Sequence, residues 1–192
     1  IRNHRLERAV SDFDHSHRFS LGYMWELPVG KGRRILGSAP RVADVLLGGW
    51  QLGGILLLQS GGPFTVGMSS DVANVGTWWQ RPNRLRSGEL SQPTIERWFD
   101  TTAFERPVPY TFGNSGRNIL RTDSLLNWDC SLLKNFTIRE NWRLQLRGEF
   151  FNVLNHPTFG GPDSNLESGN FGMIFWLANS PRIGQVALKL IF

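Results

Sequence analysis

Asp12, Asp14, His15 and His17 are the first residues along the chain whose types could do chemistry, because carboxylates and imidazoles ligate metals. Side chains alternate in an extended segment, so His15 and His17 would share a face. A metal centre needs a fixed set of ligands held by outer partners, and no third ligand is spaced to complete one. A polar entrance to a strand explains the same four residues. Further on, Arg143, Gln145, Arg147 and Glu149 alternate onto one face. Glu149 has the chemistry of a general base, yet the chain carries no Ser/His/Asp spacing, phosphate loop or nucleophile elbow to go with it. The expectation is therefore no enzyme, no catalytic residue, no metal and no cofactor. Trp78, Trp79, Tyr110 and Phe112 lie in a stretch rich in Gly, Pro and Asn. They are candidate loop contacts for a sugar or an aromatic ligand, by stacking. Packing of the loop on itself is the plainer use of the same rings. His156, before Pro157, reads as part of a turn.

The composition narrows the class. The 192 residues hold 21 Lys+Arg against 16 Asp+Glu, a net charge of +5. The basic residues are scattered rather than gathered in a stripe, which argues against nucleic acid. With 40% apolar and 19% charged residues, disorder is excluded. A single cysteine, Cys130, excludes a disulfide scaffold and a cysteine-based zinc site. Gly (21), Phe (13) and Trp (8) are plentiful, which suits a β-rich chain with many turns. The longest aliphatic run is Ile55–Leu58, far short of the roughly 20 residues of a membrane helix. The chain opens at Ile1 with no signal-peptide pattern, and is expected to be a piece whose beginning lies elsewhere.

Hydrophobic periodicity supplies the elements that must position these residues. In His17–Leu27, Phe19, Leu21, Tyr23, Trp25 and Leu27 alternate with Arg18, Ser20, Gly22, Met24 and Glu26. Trp50–Gln59 places Trp50, Leu52, Gly54, Leu56 and Leu58 on one face. Trp128–Ile138 does the same with Trp128, Cys130, Leu132, Phe136 and Ile138, interrupted by Lys134. Trp142–Phe150 alternates Trp142, Leu144, Leu146 and Phe150 against Arg143, Gln145, Arg147 and Glu149. Gln185–Phe192 ends the chain with Val186, Leu188, Leu190 and Phe192 on one side. A helical period would set Glu149 on the apolar face of Trp142–Phe150, so the strand template wins. Long excursions run over Gly61–Leu125 and Asn155–Pro181, with a helical turn expected near Pro93–Phe99 and a short strand over Phe171–Leu177.

Soluble strands have a modal length of about 5–6 residues. Several segments here keep register for about the 9–11 that a tilted strand needs to cross a bilayer. Aromatic rings fall near the ends of the apolar stripes, where an amphipathic ring suits the headgroup zone. A soluble sandwich, with the apolar face turned to a core, is the alternative. The expected fold is all-β: an antiparallel transmembrane β-barrel section of about five long strands in a curved open sheet with long loops. Five strands fall short of the roughly eight that close the smallest membrane barrels. His17–Leu27 and Gln185–Phe192 should therefore be unpaired edges.

Ordered blocks along the chain resemble the C-terminal barrel strands of TonB-dependent outer-membrane receptors, and most of all the Oar-like group, which carries a carboxypeptidase-regulatory-like domain. They are Phe13–Phe19 with Glu26–Gly32, Gly48–Leu52 through Gln59–Phe64, Arg81-Pro82-Asn83, Trp98-Phe99 with Ala103-Phe104, Phe112–Asn114 with Gly116–Asn118, and Glu149–Pro157. The resemblance implies that residues 1–192 are the C-terminal part of a barrel of about 22 strands, with the plug and N-terminal domains lying elsewhere. It implies import of an unidentified extracellular solute, with energy relayed by TonB through the plug. Phe19, Leu21, Tyr23, Trp25, Trp50, Leu52, Trp128, Trp142, Leu144, Leu146, Leu188 and Leu190 would face outer-membrane lipid. Arg143, Gln145, Arg147 and Glu149 would face the lumen. Phe192 would be an assembly signal read by the barrel assembly machinery. A periplasmic C-terminus makes the turn at Glu140 and the Gly30–Arg34 connection periplasmic, and the two excursions extracellular. A porin-like or secretion barrel without TonB, and a soluble carbohydrate-binding sandwich, remain the alternatives.

Overall fold

The period-two segments form strands with nearly the expected bounds. A computed structural model describes residues 4–139 and 142–192. The elements are α1 (His4–Glu7), β1 (Arg18–Glu26), α2 (Arg41–Leu47), β2 (Trp50–Gln59), β3 (Pro63–Phe64), β4 (Asn83–Arg84), β5 (Phe104–Glu105), β6 (Leu120–Arg121), β7 (Leu125–Arg139), β8 (Trp142–Phe151) and β9 (Ile183–Ile191). The turn expected at Glu140 lies outside the described residues.

The chain divides into two compact units. One is an antiparallel five-stranded sheet in the order β1-β2-β7-β8-β9. β1 and β9 each have a single neighbour, so the sheet is open. The β8–β9 register pairs Leu144 with Leu190 and Leu146 with Leu188, while Gln145 meets Lys189 and Glu149 meets Gln185. Across β7–β8, Phe136 meets Leu144 and Asn135 meets Gln145. Since residues directly opposite share a face, the separate apolar stripes merge into one surface. A bulge between Thr137 and Arg139 ends the regular β7–β8 pairing.

That apolar surface is not a core. Trp142, Val186, Leu188 and Leu190 are exposed, and Trp50, Leu52, Leu144 and Leu146 are only partly covered. Among the described residues the unit has no second sheet over this face.

Among the described residues, the second unit joins residues 4–18, 59–125 and 157–179. Here the two excursions hold the only extended apolar cluster among the described residues, formed by Val66, Phe99, Ala103, Phe104 and Leu120. Phe99 sits edge-on to Phe104 and Phe171, with centroids 5.9 and 5.1 Å away. Aromatic pairs favour that geometry because ring edges are positive and faces negative. Two short ladders, β3–β6 and β4–β5, brace it.

Two local expectations are corrected, and one unexpected element is present. Pro93–Phe99 is a turn closed by reciprocal Thr94–Arg97 backbone bonds, and a 3₁₀ turn forms instead at Thr101–Ala103, where Asp100 caps it. Phe171–Leu177 is not a strand, because the Phe171 ring enters the core and only Leu177 pairs, with Phe159. Within the β1–β2 connection a helix, α2, follows Pro40. Seven residues are too few to display a helical period, and Pro at the entrance was the available signal.

Candidate functional site

Two surfaces could carry function: the faces of the sheet and a cavity within the second unit. On the sheet, β7, β8 and β9 put Trp128, Cys130, Trp142, Leu144, Leu146, Leu188 and Leu190 on one side. Tyr23 joins them, since its hydroxyl accepts from Trp128 Nε1 at 3.1 Å and lies 3.3 Å from Cys130 Sγ. To reach β7 the Tyr23 ring crosses β2 at Gly54, where an added Cβ would fall 2.5 Å from the hydroxyl. A glycine in a strand often marks such a close approach. Alternation along β1 carries Phe19, Leu21 and Trp25 to the same side, and along β2 it groups Leu52 with Trp50 and Gly54.

Lys134 is the exception on this face, and the structure explains it. Its ammonium donates to the carbonyls of Leu46 (3.0 Å) and Gly48 (2.5 Å), at the C-terminal end of α2. The cation also lies 5.2 Å from the Trp50 ring centre and 5.1 Å from that of Phe136. Only 2% of the residue is exposed. A helix C-terminus leaves carbonyls unpaired and carries partial negative charge, so a lysine there is favourable, and ring faces attract it further. Trp50 Nε1 also donates to Leu46 O, tying β2 to the helix it follows.

The opposite face is polar and internally paired. Arg147 contacts Glu149 at 2.6 Å, Gln185 donates to Glu149, and Gln145 donates to Asn135. Gln51 and Arg33 both donate to Glu26. Arg143 faces the same way, opposite Thr137 and Ile191. Glu149 is committed to Arg147 and Gln185, so it is a partner in a charge network.

In the second unit a cavity of about 660 Å³ opens between α1 and the excursion. Trp79 and Phe112 line it, together with Glu7, Arg81 and Arg117. The backbone of Trp79 is fixed by the adjacent Met68–Gln80 bridge, and its indole rests on Gly67, where a Cβ would come within 2.1 Å. Arg81 donates to Leu6 O and pairs with Glu7. Arg117 pairs with Asp12 at 2.8 Å. A hydrogen bond from Asn118, then the Arg117 guanidinium, holds the Asp12 carboxyl below its ordinary value. Trp78 and Tyr110 do not join the lining; they are 88% and 77% exposed.

Of the four residues with metal-ligand chemistry near the start of the chain, three have side-chain partners in the protein. His15 Nδ1 is 2.8 Å from Ser60 O and its Nε2 3.1 Å from the Gln59 amide, Asp14 pairs with Arg121, and Asp12 with Arg117. Among the described residues no three His, Cys, Asp or Glu gather as a metal site.

The motif blocks also acquire physical reasons. Gly61 passes so close to Thr122 that a Cβ would meet its carbonyl at 1.9 Å. Gly113 lies against the Arg81 and Pro82 carbonyls; beside it the Asn83 side chain accepts from the Asn114 N–H, and the Asn114 side chain accepts from the Arg84 N–H. Asn152 and Asn155 adopt positive φ (48° and 51°), a conformation asparagine tolerates. The Asn152 amide donates to His156 O and Ser180 O, which fixes the exit of β8.

No curated protein and no solved structure matches the chain. One family model does, described as "Outer membrane beta barrel domain", over residues 1–185. The match agrees with an open antiparallel sheet that is apolar on one side and polar on the other. By that match and that geometry the chain belongs to the outer membrane beta barrel domain family, which points to an outer membrane as its location.

Proposed function

We propose that residues 1–192 form the C-terminal barrel wall and outer loops of a TonB-dependent outer-membrane receptor of the Oar-like type, which binds an extracellular solute and imports it. The observation that carries this reading is the two-faced sheet. Its strands run nine to fifteen residues, enough to cross a bilayer at a tilt of about 45°. Its apolar face suits lipid, where unpaired backbone is not tolerated and a barrel pairs it all. Its polar face suits a watery lumen. The open edges at β1 and β9 suit a section that pairs with further strands. The resemblance of the ordered blocks supplies the finer identity, including the plug, TonB, a periplasmic C-terminus and a role in transport rather than catalysis.

The test uses the intact protein purified from outer membranes. A plugged receptor should pass no steady current in a planar bilayer and should capture the periplasmic C-terminal domain of TonB. A steadily open channel that ignores TonB would favour the porin-like alternative. Recovery in the soluble fraction would favour the sandwich.

A further inference from the structure

We propose that the cavity between α1 and the excursion is a saccharide-binding site, with Trp79 as its stacking platform. The proposal concerns what this cavity binds and holds whether or not the barrel is coupled to TonB. At about 660 Å³ the cavity lies within the roughly 300–1,000 Å³ of small-molecule sites.

Trp79 is built as a platform. Gly67 admits the indole against the backbone, since any Cβ there would strike the ring. Gly67 is itself anchored, donating to Ser164 O and accepting from Leu166 N. One side of the indole is thus seated on fixed backbone, while the residue stays 53% exposed toward the cavity. Phe112 adds a second apolar wall, and is also exposed.

The remaining lining selects the ligand. Arg81, Arg117 and Glu7 bring planar donors and acceptors to the same cavity. Arg81 and Arg117 each have a carboxylate partner, Glu7 and Asp12, so neither is a bare cation awaiting an anion. A purely aromatic ligand would desolvate these groups without replacing their water, which is costly. A sugar ring fits both demands: its C–H face lies on an indole, and its hydroxyls both donate to carboxylate and accept from guanidinium.

Trp176 provides an internal control. It lies on Gly160 as Trp79 lies on Gly67, with a Cβ excluded at 2.3 Å, but takes no part in the cavity. The experiment titrates the intact, detergent-purified protein with maltohexaose, cellohexaose, laminarihexaose and xylohexaose by calorimetry. At least one should bind. Trp79→Ala should weaken that binding by roughly tenfold, Phe112→Ala should weaken it as well, and Trp176→Ala should leave it unchanged. Phe112→Ala removes an exposed ring, so it keeps the test valid if Trp79→Ala misfolds. The proposal is overturned if none of the four binds, if Trp79→Ala and Trp176→Ala weaken binding equally, or if indole-3-acetate binds and the saccharides do not. Bilayer conductance on the same preparation reports on the receptor reading separately.

Discussion

Lys134 carries more consequence than its place in an apolar stripe suggests. Its ammonium satisfies two carbonyls at the end of α2 and sits over two rings. Charged hydrogen bonds of this kind contribute about 1.5–3 kcal/mol each way of counting, and a buried carbonyl left unpaired costs more than a missing contact. Lys134→Ala should therefore destabilise the intact protein by about 2–3 kcal/mol, read from denaturant unfolding, whereas a random lysine on a lipid face would gain from the same change. Asp100 behaves differently because its role depends on pH. Hydrogen bonds from Thr102, then the guanidiniums of Arg86 and Arg97, hold its carboxyl at about 2, below the ordinary 3.8. A depressed folded value means the stabilisation is complete above the unfolded value and is lost as pH falls through the folded one. Wild type and Asp100→Asn should therefore differ most at neutral pH, converge between about pH 4 and pH 2, and coincide below that. Scanning fluorimetry of both proteins across this range measures it, and a constant gap would contradict the assignment.

At the scale of elements, the strands were legible and the loops were not. A period of two over Trp142–Phe150 leaves one solution, so β8 appears within a residue of its expected bounds. Lys134 interrupts the apolar stripe without an evident reason in the sequence, because its partners are carbonyls more than eighty residues earlier in the chain. The second unit was invisible for a related reason: its core draws Val66, Phe99 and Phe171 from irregular backbone and Leu120 from a two-residue strand, where no period marks an inward side chain. Of the four loop aromatics, Trp79 and Phe112 reach a cavity and Trp78 and Tyr110 do not. What separates Trp79 from Trp78 is Gly67, a contact twelve residues away that no spacing rule reveals. Gly54 is similar: alternation puts it on the apolar face, but no pattern shows that the Tyr23 ring crosses it. Gly54→Val should force that ring off β7, break the Tyr23–Trp128 hydrogen bond and lower the melting temperature, while Gly22→Val, which has nothing within 4 Å of its Cβ, should leave it unchanged. Comparable losses for both variants would mean that strand glycine, rather than ring crossing, sets the effect.

For the whole molecule, β9 and Phe192 are where the proposed barrel would be completed. Phe192 is 85% exposed and touches only one ring, Trp142, at 5.6 Å. Removing this lipid-facing ring by Phe192→Ser should cost about 2 kcal/mol by area, which is small against a whole barrel. If the terminal ring is an assembly signal, the amount of heat-modifiable barrel in the outer membrane should fall sharply while the purified mutant melts almost normally. Unchanged yield would remove that role. The central claim is that the apolar face of the sheet meets lipid and the polar face meets water. Nitroxide labels placed singly along β8 of the intact protein in lipid bilayers test it most directly. Labels at Leu144 and Leu146 should be reached by oxygen, and labels at Arg143, Gln145 and Arg147 by an aqueous nickel chelate, in opposite phase with a period of two. Aqueous access without alternation, or protection of Leu144 and Leu146 from both reagents as in a packed core, would contradict it.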